Sequence, residues 1–142
     1  MSVTVNAAEF NRGLDNWMRQ FKIDSDKAMR HIASKLFENI IRRTPVDTGW
    51  ARGNWYPSLN ARLETKPGDR PFNAANVPPS DPSQVVATGK AGDVFWLQNG
   101  VPYIGNLENG TSQQAPEGMV KLSIAEAREF FRKWAVDAKG AG

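Results

Sequence analysis

Residues 24–49 read DSDKAMRHIASKLFENIIRRTPVDTG, and this stretch decides the centre of the fold. Asp24 or Ser25 can cap the start of a helix. Arg42 and Arg43 suit its end, where the helix dipole is negative, and Pro45 stops it. Apolar residues recur at four-residue spacing in two adjacent rows, which predicts a broad buried face on a helix over 25–43. The rows are Ala28, Ile32, Leu36 and Ile40, and Met29, Ala33, Phe37 and Ile41.

Two further helices are predicted on either side of this stretch. In the N-terminal one, Asn6 and Glu9 resemble a capping box, and the apolar residues that follow share one helical face. These residues are Phe10, Leu14, Trp17 and Phe21. A C-terminal helix over about 117–138 has a similar stripe, made of Val120, Ile124, Ala127, Phe131, Trp134 and Ala138. We expect the helices over 25–43 and 117–138 to pack on one face of a sheet and to form most of the core.

The strand signals are shorter than the helix signals. One strand is predicted over about 53–63, where Pro57 indicates an edge strand or a bulge. A second is predicted over 93–99, with Val94, Phe95, Trp96 and Leu97 mostly buried. Asp81 and Pro82 favour the start of a short helix over about 82–90, and 101–109 suits a short strand or one helical turn. The predicted fold class is α+β: a small, mostly antiparallel sheet flanked by long N- and C-terminal helices, in one domain over 1–142.

Residues 64–82 form a proline-rich loop or arm in this prediction. Five prolines fall in the stretch, and it lacks the apolar period of a helix or a strand. Such a segment gains little from burial in its own domain, so we expect it to reach a neighbouring subunit. Phe72 would be its apolar anchor, flanked by Arg70 and Asn73.

Composition excludes several classes of site. The chain has 142 residues, no cysteine, one histidine and a formal net charge of +3. Without cysteine there are no disulfides and no thiolate ligands for zinc or iron–sulfur clusters. No apolar run is long enough to span a membrane, so no membrane contact is expected. No cofactor motif is present, and we expect neither a cofactor nor a bound metal.

A few residues allow both a structural and a functional interpretation. Asp24 and Asp26 suit a helix start far better than a metal pair. His31 on a helix is more often structural than catalytic. The basic residues between 35 and 62 suit a solvated face, with contact to DNA backbone or an acidic partner as the alternative. These residues are Lys35, Arg42, Arg43, Arg52 and Arg62.

Two segments carry a more specific pattern. The first is RTPVDTGWARGNW over 43–55, which contains the turn Thr44, Pro45, Val46, Asp47, Thr48 and Gly49. The second is NGVPYIGNLENGTS over 99–112, which contains Pro102, Tyr103, Leu107, Glu108, Gly110 and Ser112 and is followed by QQAPEGMV over 113–120. Asp47 and Thr48 can hydrogen-bond their own turn. The Glu108 carboxylate can accept hydrogen bonds from loop N–H groups or pair with an arginine.

Together, in this order and with helices before and after them, these segments resemble the tail-completion family of long-tailed bacteriophages. This family is also described as neck, head–tail joining or minor tail protein Z-like. The family pattern is a helix, T-P-V-D-T-G, a strand, a variable loop, N-x-x-P-Y-x-x-x-L-E-x-G-x-S and a C-terminal helix. The likeness covers nearly the whole chain. Trp50 departs from the pattern, because many relatives carry a small or aliphatic residue there.

The resemblance implies a structural virion protein without catalysis. Its place would be the junction between the DNA-filled head and the tail, after synthesis in the bacterial host cytoplasm. Its partners would be other neck and tail proteins: connector, stopper, tail terminator or tail tube. A homo-oligomeric ring is implied, with six-fold symmetry favoured over twelve-fold, and non-specific contact with packaged DNA stays open. Trp50, Arg70, Phe72 and Asn73 are the candidate partner contacts.

Two other classes of function compete with this one. A small basic nucleic-acid-binding protein is the alternative, although a mild net charge weighs against it. A hydrolase using Glu108 and His31 is the third hypothesis, and the lone histidine weighs against it.

Overall fold

The computed structural model describes residues 7–46, 49–63, 79–110, 112–115 and 117–141, with side chains from Ala8 to Ala135. These residues form five α-helices and two β-strands. In chain order they are α1 (Ala7–Phe21), α2 (Ser25–Arg43), β1 (Trp55–Leu59), α3 (Ser83–Val86), β2 (Phe95–Asn99), α4 (Ile104–Glu108) and α5 (Val120–Ala141). The α+β class predicted from the sequence is therefore confirmed, with long helices on both sides of a small antiparallel sheet.

Helix α2 begins and ends as its sequence predicts. The Asp24 side chain accepts a hydrogen bond from the N–H of Lys27 at 2.8 Å, which satisfies one free donor of the first turn. Arg42 and Arg43 occupy the last turn. Thr44 follows with extended backbone, and its N–H donates to the carbonyl of Ile41 at 3.1 Å. The helix thus ends at Arg43, two residues before Pro45.

The sheet consists of β1 and β2 alone among the described residues, paired antiparallel with Trp55 opposite Asn99 and Leu59 opposite Phe95. Both strands are shorter than predicted. The prediction that Val94 and Trp96 are mostly buried is wrong: 55% and 37% of their surfaces are exposed. Successive side chains along a strand point to opposite faces of the sheet, and helices cover only the face that carries Trp55 and Leu97. Val94 and Trp96 lie on the other, uncovered face.

The other short elements also differ from their predicted bounds. Helix α3 covers only Ser83–Val86, within the predicted 82–90, and Asp81 Oδ1 accepts from the N–H of Ser83 at 2.9 Å. Between 101 and 109 the chain forms the single helical turn α4, which is one of the two predicted alternatives. The first predicted helix ends at Phe21, and Lys22 has a left-handed backbone with φ of 53°.

The long helices do not pack as the sequence predicted. Helix α5 lies mainly along α1, where Phe131 contacts Phe10 and Trp17 with ring centroids 5.1 and 5.7 Å apart. Only the start of α5 reaches the sheet, because Met119 and Val120 join a cluster with Ile40, Ile41 and Trp55. The core thus has a helical half and a half that packs on the sheet.

Gly13 explains why α1 is the main partner of α5. A Cβ atom on Gly13 would overlap the backbone carbonyl of Phe131, so the two helices cross almost backbone to backbone. No larger residue fits between them without separating the helices. A glycine that permits close helix approach gives no signal in the apolar periodicity from which the helices were predicted.

We predict that Gly13→Ala destabilises the protein, although Gly→Ala in a helix normally stabilises by up to about 1 kcal/mol. The added methyl group should force α1 and α5 apart and cost about 1–3 kcal/mol. The control is Gly105→Ala in α4, where a Cβ meets nothing within 4 Å and stability should hold or rise. Urea unfolding measures both variants. Equal effects at the two positions would contradict the close crossing.

Candidate functional site

The structure brings the two motif segments of the sequence together. The Gln114 side chain accepts a hydrogen bond from the N–H of Val46 at 3.0 Å and donates to the Val46 carbonyl at 3.2 Å. The Asn99 amide donates to the carbonyl of Ala51 at 2.8 Å. Two stretches more than forty residues apart in the chain therefore form one surface. We call it the motif surface and define it as residues 44–46, 49–50, 102–103, 107–108, 110, 112 and 114.

Thr44 anchors the first segment to the core. Its hydroxyl donates to the Ile40 carbonyl at 2.8 Å and accepts from the indole N–H of Trp55 at 2.9 Å. Only 2% of Thr44 is exposed. A buried hydroxyl without partners would destabilise the fold, so this pair of hydrogen bonds fixes where the chain leaves α2. Pro45 and Val46 follow, both half-buried.

Gly49 closes the turn of the first segment. Its φ of 89° lies in the left-handed region that favours glycine, and its carbonyl accepts from the N–H of Gly53 at 2.8 Å. Asp47 and Thr48 lie outside the described residues, so their predicted hydrogen bonds within the turn stay predictions.

Trp50 and Tyr103 join the two segments on the outside of the molecule. Their ring centroids lie 5.8 Å apart and the rings are tilted by 54°. Trp50 is half-buried, whereas Tyr103 and its neighbour Pro102 are exposed. The bulky residue at position 50 is thus accommodated against the tyrosine of the second segment, and the two rings give the motif surface an aromatic centre.

Glu108 caps the start of α5. Its carboxylate accepts hydrogen bonds from backbone N–H groups, which is one of the two roles that the sequence predicted for it. Oε1 accepts from the N–H groups of Met119 and Val120, each at 2.8 Å, and Oε2 accepts from that of Lys121 at 2.9 Å. The positive end of the helix dipole and its free donors make this position favourable for a carboxylate. Gly118, with φ of 82°, lets the chain pass close to Glu108.

The other residues of the second segment shape the loop between α4 and α5. Leu107 packs against the cluster around Trp55 and Met119. Gly110 has a left-handed backbone with φ of 87°. The Ser112 hydroxyl accepts from the N–H of Gln114 at 3.1 Å, which places the glutamine side chain for its contact with Val46. Sequence reasoning missed Gln114 and Asn99, although both lie in or next to the second segment.

Arg43, the first residue of the first segment, joins α2 to α5. Its guanidinium donates to the Ser123 hydroxyl at 3.0 Å and to the Glu126 carboxylate. The hydrogen bond from Arg43 lowers the pKa of Glu126 below its usual range. Arg42 donates to the Asn39 side chain at 3.0 Å. Two of the five predicted basic residues therefore make contacts within the protein, which weakens the case for a nucleic-acid surface there.

The predicted arm contacts Arg70, Phe72 and Asn73 lie outside the described residues, but both ends of the arm are described. On one side, the Gln98 amide accepts from the N–H of Leu63 at 2.6 Å and donates to its carbonyl at 2.7 Å. On the other side, the Ser80 hydroxyl accepts from the N–H of Trp55 at 3.0 Å. The chain therefore leaves and re-enters the sheet region at two hydrogen-bonded points.

The residues considered for catalysis or metal binding have other contacts. His31 lies against Trp17 with ring centroids 5.4 Å apart, and Glu108 serves as the α5 cap. Asp24 caps α2, and Asp26 accepts from the N–H of Ala91 at 2.9 Å. Within the described ranges, no group of three or more His, Asp or Glu residues could hold a metal ion. No helix among the described residues is long and apolar enough to cross a membrane.

Comparisons with protein-family models, with curated proteins and with solved structures give no match for this chain.

We predict that Glu108→Ala destabilises the protein by about 2–4 kcal/mol, because the start of α5 loses a charged acceptor shared by several N–H groups. Glu108→Gln keeps one acceptor oxygen and should cost less. Glu117→Gln is the matched control, since Glu117 is exposed in the same loop. Urea unfolding gives the free energies. A Glu108→Ala variant as stable as the Glu117→Gln control would show that the cap contributes nothing.

Proposed function

We propose that this chain is a structural protein of a bacteriophage neck, a ring subunit that joins the DNA-filled head to the tail. One observation carries the proposal: the two segments on which the family resemblance rests form a single surface. They meet through Gln114 and Val46, through Asn99 and Ala51, and through the rings of Trp50 and Tyr103.

The chemistry of the motif surface fits assembly better than catalysis. Its polar side chains donate to or accept from backbone groups, as Thr44, Glu108 and Gln114 do. Such hydrogen bonds fix the shape of the loops on this surface. What the surface presents outward is an exposed proline beside an aromatic ring, the kind of apolar anchor that protein interfaces favour.

In this proposal the motif surface contacts either a second copy in a ring, with six copies favoured over twelve, or a neighbouring neck protein. The partners would be a connector, stopper, tail terminator or tail tube. A closed ring needs two different patches on each subunit, and the motif surface supplies one of them. The arm over 64–82 would supply the other, reaching outward from its two anchored ends. Contact with packaged DNA would be non-specific.

Tyr103→Arg tests the proposal in a phage or prophage that encodes this chain, with the gene deleted and supplied from a plasmid. A charge at the centre of the motif surface should abolish head–tail joining, because burying it against a partner costs several kcal/mol. Tyr103→Phe keeps the ring and should support assembly. Electron microscopy counts joined particles, and circular dichroism checks the fold. Normal titres with Tyr103→Arg would refute the proposed role of this surface.

The arm gives a second prediction. Replacing 66–78 with a short Gly/Ser linker keeps the described ends at Leu63 and Ser80, so melting should change little. Incorporation into the neck should nevertheless be lost, because the apolar anchor Phe72 is removed. The test is the same complementation together with thermal melting. Infectious tailed particles at normal titre would mean that the segment is a tolerated insertion.

A further inference from the structure

A groove of about 320 Å³ lies between α2 and α5, apart from the motif surface. Its floor is apolar and consists of Ile32, Leu36, Ala127 and Phe131. Phe130 stands on the α5 side with 45% of its surface exposed. Large exposed aromatic side chains beside an apolar trough are typical of surfaces that bind a partner.

The groove is short and bounded at both ends. On α2 it extends from His31 to Asn39, nine residues that span about 12 Å at the helical rise. Trp17 bounds one end, where it contacts His31 and Phe130. At the other end Arg43 of α2 is bonded to Ser123 and Glu126 of α5. A trough of this length accommodates about two turns of a helix, which means two or three large side chains at i, i+4 and i+7.

The wall formed by α2 is basic. Helix α2 carries five lysines and arginines and two acidic residues, Asp26 and Glu38, and one of the five, Arg43, is paired with Glu126. Glu38 accepts a hydrogen bond from Ser34 and does not line the groove. Lys35, by contrast, lines the groove and is exposed. On the α5 wall, the charge of Glu126 is compensated by Arg43. The potential at the rim therefore favours an acidic partner.

From these observations we infer that the groove binds an amphipathic helix of another protein, with large apolar side chains facing the floor and acidic side chains facing Lys35. A second copy of this chain suits the groove less well. The α2 stripe packs inside the protein, around Phe37 and Ile41, and in the α1 stripe Phe21 alone is largely exposed, too little apolar surface to fill the groove. The groove shares no lining residue with the motif surface, so this inference goes beyond the proposed function and stands or falls independently of it.

The probe is a synthetic, hydrocarbon-stapled helix of about 14 residues with leucines at i, i+4 and i+7 and glutamates on one flank. Fluorescence anisotropy measures its binding to the full chain. A peptide with lysines in place of the glutamates is the charge control. We expect saturable binding of the acidic peptide and at least about tenfold weaker binding of the basic one, with the acidic peptide weakened by salt.

Three protein variants locate the binding. Ala127→Trp fills the floor and should abolish binding. Lys35→Glu should weaken binding of the acidic peptide by roughly three- to tenfold and strengthen binding of the basic peptide. Arg128→Glu makes the same charge change on an exposed position of α5 outside the groove and should leave binding unchanged. Lys35 is exposed, so its variant remains decisive even where Ala127→Trp fails to fold.

Several results would overturn the inference. These are no saturable binding of the acidic peptide, binding that survives both Ala127→Trp and Lys35→Glu, and an equal response to Arg128→Glu and Lys35→Glu. Sedimentation provides a further test. Suppose that the wild-type protein is a dimer, that Ala127→Trp makes it monomeric, and that the peptide does not dissociate the dimer. This combination would assign the groove to a second copy instead.

Discussion

The Glu108 carboxylate at the start of α5 is the interaction on which the two halves of the structure depend. The longest helix of the protein begins where the N–H groups of residues 119–121 meet this side chain. Without this carboxylate, those N–H groups would need water as their hydrogen-bond acceptor, next to the buried side chain of Met119. Glu108 ends α4, which follows the sheet, so the carboxylate ties the helical half of the core to the half that packs on the sheet.

The start of α5 is held from a second side by Arg43. This residue ends α2 and donates to Ser123 and Glu126, in the first two turns of α5. The two charged residues thus hold neighbouring turns at the start of α5, and both belong to the motif segments. Arg43 therefore spends two of its five N–H donors, and its ion pair, on the fold itself.

The parts of the fold that the sequence predicts well are those set by local periodicity. Helix α2 has eight apolar positions in two rows and a capping aspartate, and its bounds match the prediction. The packing of α5 on α1 depends instead on the absence of a Cβ at Gly13, which no periodic pattern records. Val94 and Trp96 were predicted as buried because four apolar residues in a row suit a strand covered on both faces. A two-stranded sheet covered on one face leaves them exposed.

The candidate site likewise has features that the sequence predicts and features that depend on the three-dimensional path of the chain. The hydrogen-bonding chemistry of Glu108 follows from its residue type, but its acceptance from residues 119–121 requires the three-dimensional path of the loop. Gln114 and Asn99 bond to Val46 and Ala51, far away in the chain, and a side-chain amide carries no sign of which backbone it will meet. The residues that shape the motif surface therefore bond within the protein. In the proposed assembly, discrimination between partners would fall to exposed positions such as Pro102 and Tyr103, because only groups that reach the partner can be paired with it or left unpaired.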